Sequence, residues 1–336
     1  MSPLSARSPK INLRAPTITD FPAPVSPVTP TKPPPRSHSR RSTRAKLRIF
    51  RRLSIRFCGD MGIMQFSSHN ATMTRNRSQP RFLFLGTSTS VGVPVIGCSC
   101  KVCRSNHPHD NRSRSSIFFE GPWGRLLIDS GPDLRQQALR EQLTAVDAVL
   151  YTHEHLDHVA GFDELRAFCW KRDSPLPLYG SPETLAGLAR MYPWAFSVAD
   201  RQAGYIHPEP REIEGAFYFN GLKITPIEVQ HGWVRTHGFR FDHPTIGSLA
   251  YLPDVKVIPE QSLELLRGLD YFVIDALRHE EHHTHMNVSE ALNTIDLITP
   301  NQSYLTHLSH EISWEETNRS LPPQVSLAYD GLTLTF

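Results

Sequence analysis

Residues 148–158 read Ala-Val-Leu-Tyr-Thr-His-Glu-His-Leu-Asp-His, a short apolar run that opens into His153, His155, Asp157 and His158. The apolar part predicts a strand over residues 148–151 and the rest a loop. Crowding three imidazoles and a carboxylate is costly unless something shares their lone pairs, and both groups are good ligands for divalent transition metals. In an extended stretch His153 and His155 point the same way and can chelate one ion, while Asp157 and His158, after a bend, can reach a second. The helical zinc-protease pattern is excluded, because Asp157 stands four places after His153. Further candidates follow other apolar runs: His231 after 227–230, Asp254 after 248–252 and His307 after 303–306. Four segments that each close on a metal-capable side chain point to two ion sites with a carboxylate between them.

Outward from this loop, apolar runs bounded by Gly, Asp and Pro predict strands at 82–85, 116–119 and 125–128 in the first half. In the second half they predict strands at 222–229, 239–241, 248–252, 271–274 and 303–306. Helices are expected over 157–168, 261–266 and 287–297, and Asp330-Gly331 marks a hairpin between 325–329 and 332–336. Two sets of strands, each followed by helices, suggest two sheets with helices packed outside. No apolar run in the 336 residues approaches the ~18–20 needed to span a bilayer, which excludes an integral membrane protein.

The net charge of +3 hides an asymmetry: residues 1–79 hold 15 Lys/Arg against Asp20 and Asp60, so the remainder carries −10. That leader holds 10 of the 28 prolines and few apolar residues, the composition of a disordered segment. It reads as an organelle-targeting leader, a basic tail for nucleic acid, or an extension upstream of a start at Met61, Met64 or Met73. Of the five cysteines, Cys98, Cys100 and Cys103 fall within six residues, too close for unstrained bridges. A reducing, cytoplasmic compartment and a metal knot follow. Cys169 reads as a buried helix residue.

The His153-x-His155-x-Asp157-His158 signature resembles that of the metallo-β-lactamase superfamily. That resemblance implies an α/β (α+β) fold, a four-layer αβ/βα sandwich over residues 80–336. Closer still is the family of phosphoribosyl cyclic phosphate phosphodiesterases of phosphonate breakdown. The matching stretches are Leu85-Gly86-Thr87-Ser88-Thr89-Ser90, Gly97-Cys98-Ser99-Cys100-Lys101-Val102-Cys103, Leu127-Ile128-Asp129-Ser130-Gly131-Pro132-Asp133 and Thr306-His307-Leu308-Ser309-His310.

By that resemblance His153, His155 and His231 hold one Mn²⁺ or Zn²⁺, Asp157, His158 and His307 hold a second, and Asp254 bridges them. Asp129 orients the histidine loop without ligating. Cys98, Cys100, Cys103 and His310 form a closed structural zinc site. In residues 278–285, His285 fits the proton donor to the leaving group; His283 is second choice, and His282 stays open because the crowding lets the register slip. Thr87 and Ser88 offer hydroxyls to a phosphate, although Ser88 stands where relatives often carry Gly; Asp133 and Arg135 line the mouth. The implied reaction is hydrolysis of a small, cyclic phosphodiester by a hydroxide shared between the ions, with a small-molecule partner, no membrane partner and a homodimer left open. Two alternatives compete. One is a tRNA 3′-processing endonuclease, disfavoured because an acidic body repels RNA and only the leader would bind nucleic acid. The other is a non-enzymatic metal-binding protein on the same fold.

Overall fold

The first strand, β1 (Arg81–Gly86), shows how the layers arise. Phe82 and Phe84 enter one buried cluster, while Leu83 and Leu85 enter another. Successive side chains of a strand face opposite ways, so both faces of this strand are covered. The computed structural model describes residues 79–170, 172–197 and 204–336; the expected leader up to residue 78, with Cys58, lies outside them.

Five more strands complete the first half: β2 (Ser116–Gly121), β3 (Gly124–Ile128), β4 (Ala148–Leu150), β5 (Leu176–Gly180) and β6 (Pro208–Glu212). The second half gives β7 (Phe217–Phe219), β8 (Leu222–His231), β9 (Val234–His243), β10 (Gly247–Leu252), β11 (Tyr271–Asp275), β12 (Gln302–Thr306), β13 (Val325–Leu327) and β14 (Thr333–Thr335). They form two seven-stranded sheets, β14-β1-β2-β3-β4-β5-β6 and β13-β12-β11-β10-β9-β8-β7. Aromatic rings fill the space between the sheets: Phe82 meets Tyr251 edge-on at 6.1 Å and Phe119 meets Phe241 at 5.1 Å. On the outside, the helix Val288–Ile298 buries Val288, Ala291, Ile295 and Ile298 against the second sheet. The helix Pro182–Met191, capped by Ser181, buries Leu185 and Leu188 against the first. The result is the helix–sheet–sheet–helix sandwich expected from the sequence. Among the described residues no helix is long and apolar enough to cross a membrane.

Two local expectations fail, for reasons a one-dimensional pattern does not contain. The helix expected over 157–168 breaks into Leu156–Val159, a 3₁₀ turn Phe162–Leu165 and Arg166–Cys169. The carbonyl of His158 accepts the N–H of Ser130 at 2.7 Å, and Gly161 N–H donates to the carbonyl of Ser130 at 2.9 Å. A second loop thus captures groups the helix would need, at an approach so close that a Cβ on Gly161 would lie 2.0 Å from the carbonyl oxygen of Gly131. Asp330-Gly331 does turn the chain, with Gly331 at φ 91°. The flanking strands do not form a hairpin, because β13 runs parallel to β12 in one sheet and β14 antiparallel to β1 in the other. Buried Asp330 anchors this crossing by accepting from Ser113 N–H at 2.8 Å and Thr87 Oγ1 at 2.9 Å.

Strands β3 and β4 are parallel, as are β10 to β13. Loops at the carboxyl ends of parallel strands are where α/β folds collect ligands; here they carry Asp129, His153, Asp254, Asp275 and His307.

Candidate metal centre

Asp129, just past β3, holds the histidine loop in place. Its backbone takes the left-handed φ of 62°, a costly choice for a non-glycine residue that concentrates at functional sites. Its fully buried carboxylate accepts from Thr152 N–H at 2.8 Å, Thr152 Oγ1 at 2.9 Å and His158 Nδ1 at 2.8 Å. Burial raises its pKa, and those three bonds oppose the rise. With Nδ1 of His158 committed, its Nε2 faces Asp254 at 3.1 Å and Asp157 at 3.3 Å.

Among the described residues the imidazole and carboxylate donors fall into overlapping groups, two of which include His285, one with His231 and Asp254 and one with Asp275 and His307. His153, His155 and His231 bring one nitrogen each within 4.8 Å of the others, and Asp157, His158, Asp254 and His307 likewise bring together one carboxylate oxygen or ring nitrogen each. In the first group His153 Nε2 and His155 Nδ1 are 2.9 Å apart, and His231 is fixed by donating Nδ1–H to the carbonyl of Thr284 at 2.9 Å. In the second, His307 Nε2 lies 3.3 Å from Asp254 Oδ1. Asp254 Oδ1 also stands 3.9 Å from His231 Nε2, so this one carboxylate reaches both groups. Bonds of ~2.0–2.1 Å to a tetrahedral ion place neighbouring donors about 3.3 Å apart, close to these separations.

The electrostatics ask for a cation. His158 Nε2, His307 Nε2 and Asp254 Oδ2 are buried without hydrogen-bond partners. Such orphaned groups cost about 1–3 kcal/mol each, more when charged, unless something coordinates them. Burial drives the pKa of His153 well below the ordinary value. Burial also opposes a proton on His158, but the carboxylates of Asp254, Asp157 and Asp129 outweigh it and push that pKa well above. The second cluster thus stabilises positive charge while the first offers free lone pairs, and imidazole plus carboxylate is a donor set for divalent transition metals.

His285 stands against both groups. Its ring stacks on His307 at 4.8 Å and meets His231 at 4.4 Å. Asp275, at the end of β11 and fully buried, accepts His285 Nδ1–H at 2.7 Å and Val255 N–H at 3.0 Å, which leaves Nε2 of His285 for exchange. The sequence reading missed Asp275, although it closes the apolar run 271–274 as Asp254 and His307 close theirs. Of the other histidines in this segment, His283 is exposed and His279 bonds Thr317 at 3.1 Å. His282 accepts from Thr284 at Nδ1, and burial beside His285 brings its pKa down to about 4.

A second cluster joins Cys98, Cys100, Cys103 and His310, whose donors also lie within 4.8 Å of one another. His310 Nδ1 is 3.4 Å from both Cys98 Sγ and Cys100 Sγ, and no disulfide forms among them. The N–H of Cys103 and then His310 lower the Cys100 thiol to about 6, while burial pushes Cys103 up to about 11. Cys169 is half-buried against the first sheet's outer core, outside both clusters.

The expected substrate contacts are already partnered. Thr87 Oγ1 donates to Asp330 at 2.9 Å, and Ser88 Oγ donates to the Leu308 carbonyl at 3.3 Å. Ser88 thereby ties the 87–92 loop to the chain beside His307, where Leu308 N–H also donates to the Thr87 carbonyl at 2.8 Å. Asp133 accepts from Arg114 at 3.0 Å, and Arg135 is exposed on the helix Leu134–Arg140.

Comparison with known proteins agrees with this architecture. Residues 124–308 match the family model of the beta-lactamase superfamily domain. A crystal structure titled as a new diphosphatase from the PhnP family is 39% identical and superposes with a TM-score of 0.71 over 77% of this chain and 97% of that one. The octanoyltransferase of Porphyromonas gingivalis is 36% identical over 75% of this chain and 51% of its own length, so the chain spans about half of that curated relative. Ribonuclease Z of Methanopyrus kandleri is 27% identical over 67% of this chain and 92% of its own.

Proposed function

Because the chain belongs to the beta-lactamase superfamily of metal-dependent hydrolases, and to the PhnP family within it, we propose that it hydrolyses a small, cyclic phosphodiester. The observation that carries this reading is His285, held by buried Asp275 beside both donor groups. One ion would sit on His153, His155 and His231, the other on Asp157, His158 and His307, with Asp254 shared. Two such divalent ions, Mn²⁺ or Zn²⁺, would supply an acidified water and positive charge for the phosphoryl oxygens. The knot of Cys98, Cys100, Cys103 and His310 would hold a third, structural zinc, since four protein donors close the coordination.

The side chains themselves contribute the rest. Asp254 and Asp157 leave the two dications with a net positive site, suited to an anionic phosphodiester. The bond from Nδ1 to Asp275 fixes the tautomer of His285 and presents Nε2 to the departing oxygen. General-acid help of this kind contributes ~10²–10⁴-fold, most where the leaving alkoxide is poor. A cyclic ester suits the site because ring opening releases strain while the leaving oxygen stays tethered beside the acid.

The test is hydrolysis by the metal-loaded protein of bis-p-nitrophenyl phosphate, a ribose cyclic phosphate and a precursor tRNA. The cyclic ester is expected to give the largest kcat/KM. A folded, metal-loaded protein that cleaves none of them would overturn the reading and leave a non-enzymatic metal protein. Faster cleavage of the tRNA would favour the activity that gives the Methanopyrus relative its name, against the charge of −10 on residues 80–336.

A further inference from the structure

Trp233 is fully exposed, at 103% of its reference surface, two residues beyond the metal-capable His231. Register pairs His231 with Val234, so Gly232 and Trp233 are the whole turn between β8 and β9. Gly232 takes φ 59° at the first central position, the place where a two-residue hairpin turn demands glycine. That turn is pinned from below. A Cβ on Gly232 would come within 2.7 Å of Thr284 Cγ2, and Thr284 also holds His231 through its carbonyl. The indole is therefore carried by a short, braced turn locked to the loop of His285.

An indole held in water forgoes one of the largest apolar burials of any side chain, and among the described residues Trp233 has no aromatic partner. It is not alone on this rim. Leu156, next to His155, is 64% exposed, and the rings of His155 and His231 lie only 5.2 Å apart. Two large exposed apolar side chains are thus chain neighbours of the same histidine trio, one following His155 and the other two residues after His231.

We propose that Trp233, together with Leu156, forms a stacking platform that selects phosphodiesters carrying a planar ring, such as a nucleobase. The inference rests on the phosphodiesterase reading for its catalytic consequence and narrows the substrate class at that site. Stacking of one base on an aromatic side chain is worth about a five- to hundredfold gain in affinity, and it tolerates any base because every base has a π face.

The experiment compares the cyclic phosphate of adenosine with that of base-free ribose in the wild-type holoenzyme, Trp233→Ala and Trp233→Tyr. The ratio of kcat/KM for the two substrates is expected to fall about tenfold in Trp233→Ala, chiefly through KM, and to recover in Trp233→Tyr. An unaltered ratio overturns the proposal. A parallel titration by calorimetry measures binding of adenosine monophosphate against ribose phosphate. If the wild type hydrolyses neither cyclic ester, the phosphodiesterase reading falls and the titration decides the platform by itself. A base-dependent affinity lost in Trp233→Ala supports it, and equal affinity for the two ligands refutes it.

Discussion

Among the described residues two clusters of metal-capable side chains stand apart, and they differ in construction as a working site would from a fastening. The imidazole–carboxylate cluster draws on the ends of β4, β8, β10 and β12; His153, His158, His231, Asp254 and His307 are buried, and His155 and Asp157 half-buried. Its donors are individually oriented: Asp129 fixes His158 and the Thr284 carbonyl fixes His231. Such partners set the tautomer and aim of metal-bound histidines. The thiolate cluster has four half-buried donors from a tight loop and one histidine, with no such bracing beyond backbone N–H groups of Val95 and Cys103. Three thiolates and an imidazole would complete a tetrahedron, whereas the larger cluster has a further neighbour, His285, whose ring nitrogen also comes within 4.8 Å of His231 and Asp254 donors. The two meet along one stretch of backbone: His307 serves one and His310 the other, and Leu308 between them exchanges main-chain bonds with Thr87 and Thr89.

Asp254→Ala is the harshest test of this division, because one carboxylate serves both halves of the buried cluster. Activity is expected to fall by more than the ~10²–10⁴-fold attributable to a single acid–base group. Metal analysis should show loss from this cluster with about one equivalent of zinc kept in the knot. Retention of full metal content and activity would show that Asp254 does not link the halves.

Next in size is the acid. His285→Ala should keep all metals yet slow a poor alkoxide leaving group by ~10²–10⁴-fold, and p-nitrophenolate far less. Asp275→Asn, which keeps the volume but replaces the carboxyl partner of His285 with an amide, is expected to cost ~10–100-fold with the same leaving-group bias. Equal losses on both kinds of substrate would assign His285 to holding structure.

These two residues also mark how far the sequence could be read. The histidine loop was legible because its ligands are neighbours in the chain, and His231, Asp254 and His307 because each closes an apolar strand. Asp275 obeys the same rule, yet it was passed over because an aspartate at a strand end is also an ordinary turn former. The crowded segment 279–285 could not be resolved by spacing, since only the position of Asp275 and His307 singles out His285. Elsewhere the failures come from partners distant in sequence. Ser130 breaks the helix at His158, and Ser113 with Thr87 turns an apparent hairpin into a crossing between sheets. Trp233 carries no local signal, because only the fold puts its turn beside the histidine trio.

Cys100→Ala tests the fastening. The loss should be about one equivalent of zinc and a Tm lower by about 10 °C, taking a few kcal/mol at ~2–4 °C per kcal/mol for a domain of this size. Turnover at a temperature well below the new Tm should stay within about threefold. A collapse of kcat with the buried cluster still loaded would mean that the knot shapes the catalytic histidines directly through His307–His310, and the line between the two clusters would have to be redrawn.

The smallest expected effect supplies the control that separates stability from metal. The helix Val288–Ile298, which begins three residues after His285, opens on a capping box: Asn287 Oδ1 accepts Glu290 N–H at 2.8 Å and the Glu290 carboxylate accepts Asn287 N–H at 2.8 Å. Replacing a capping side chain by alanine costs ~1 kcal/mol, because an N–H at the helix start loses its partner. Asn287→Ala should therefore lower Tm by about 2–4 °C, with the full zinc content of the knot retained. If it also sheds zinc, lost stability alone empties the knot, and the metal loss in Cys100→Ala no longer identifies a ligand. If it instead reproduces the leaving-group bias of Asp275→Asn, the cap helps to place His285, and the acid is positioned from the helix as well as from the strand.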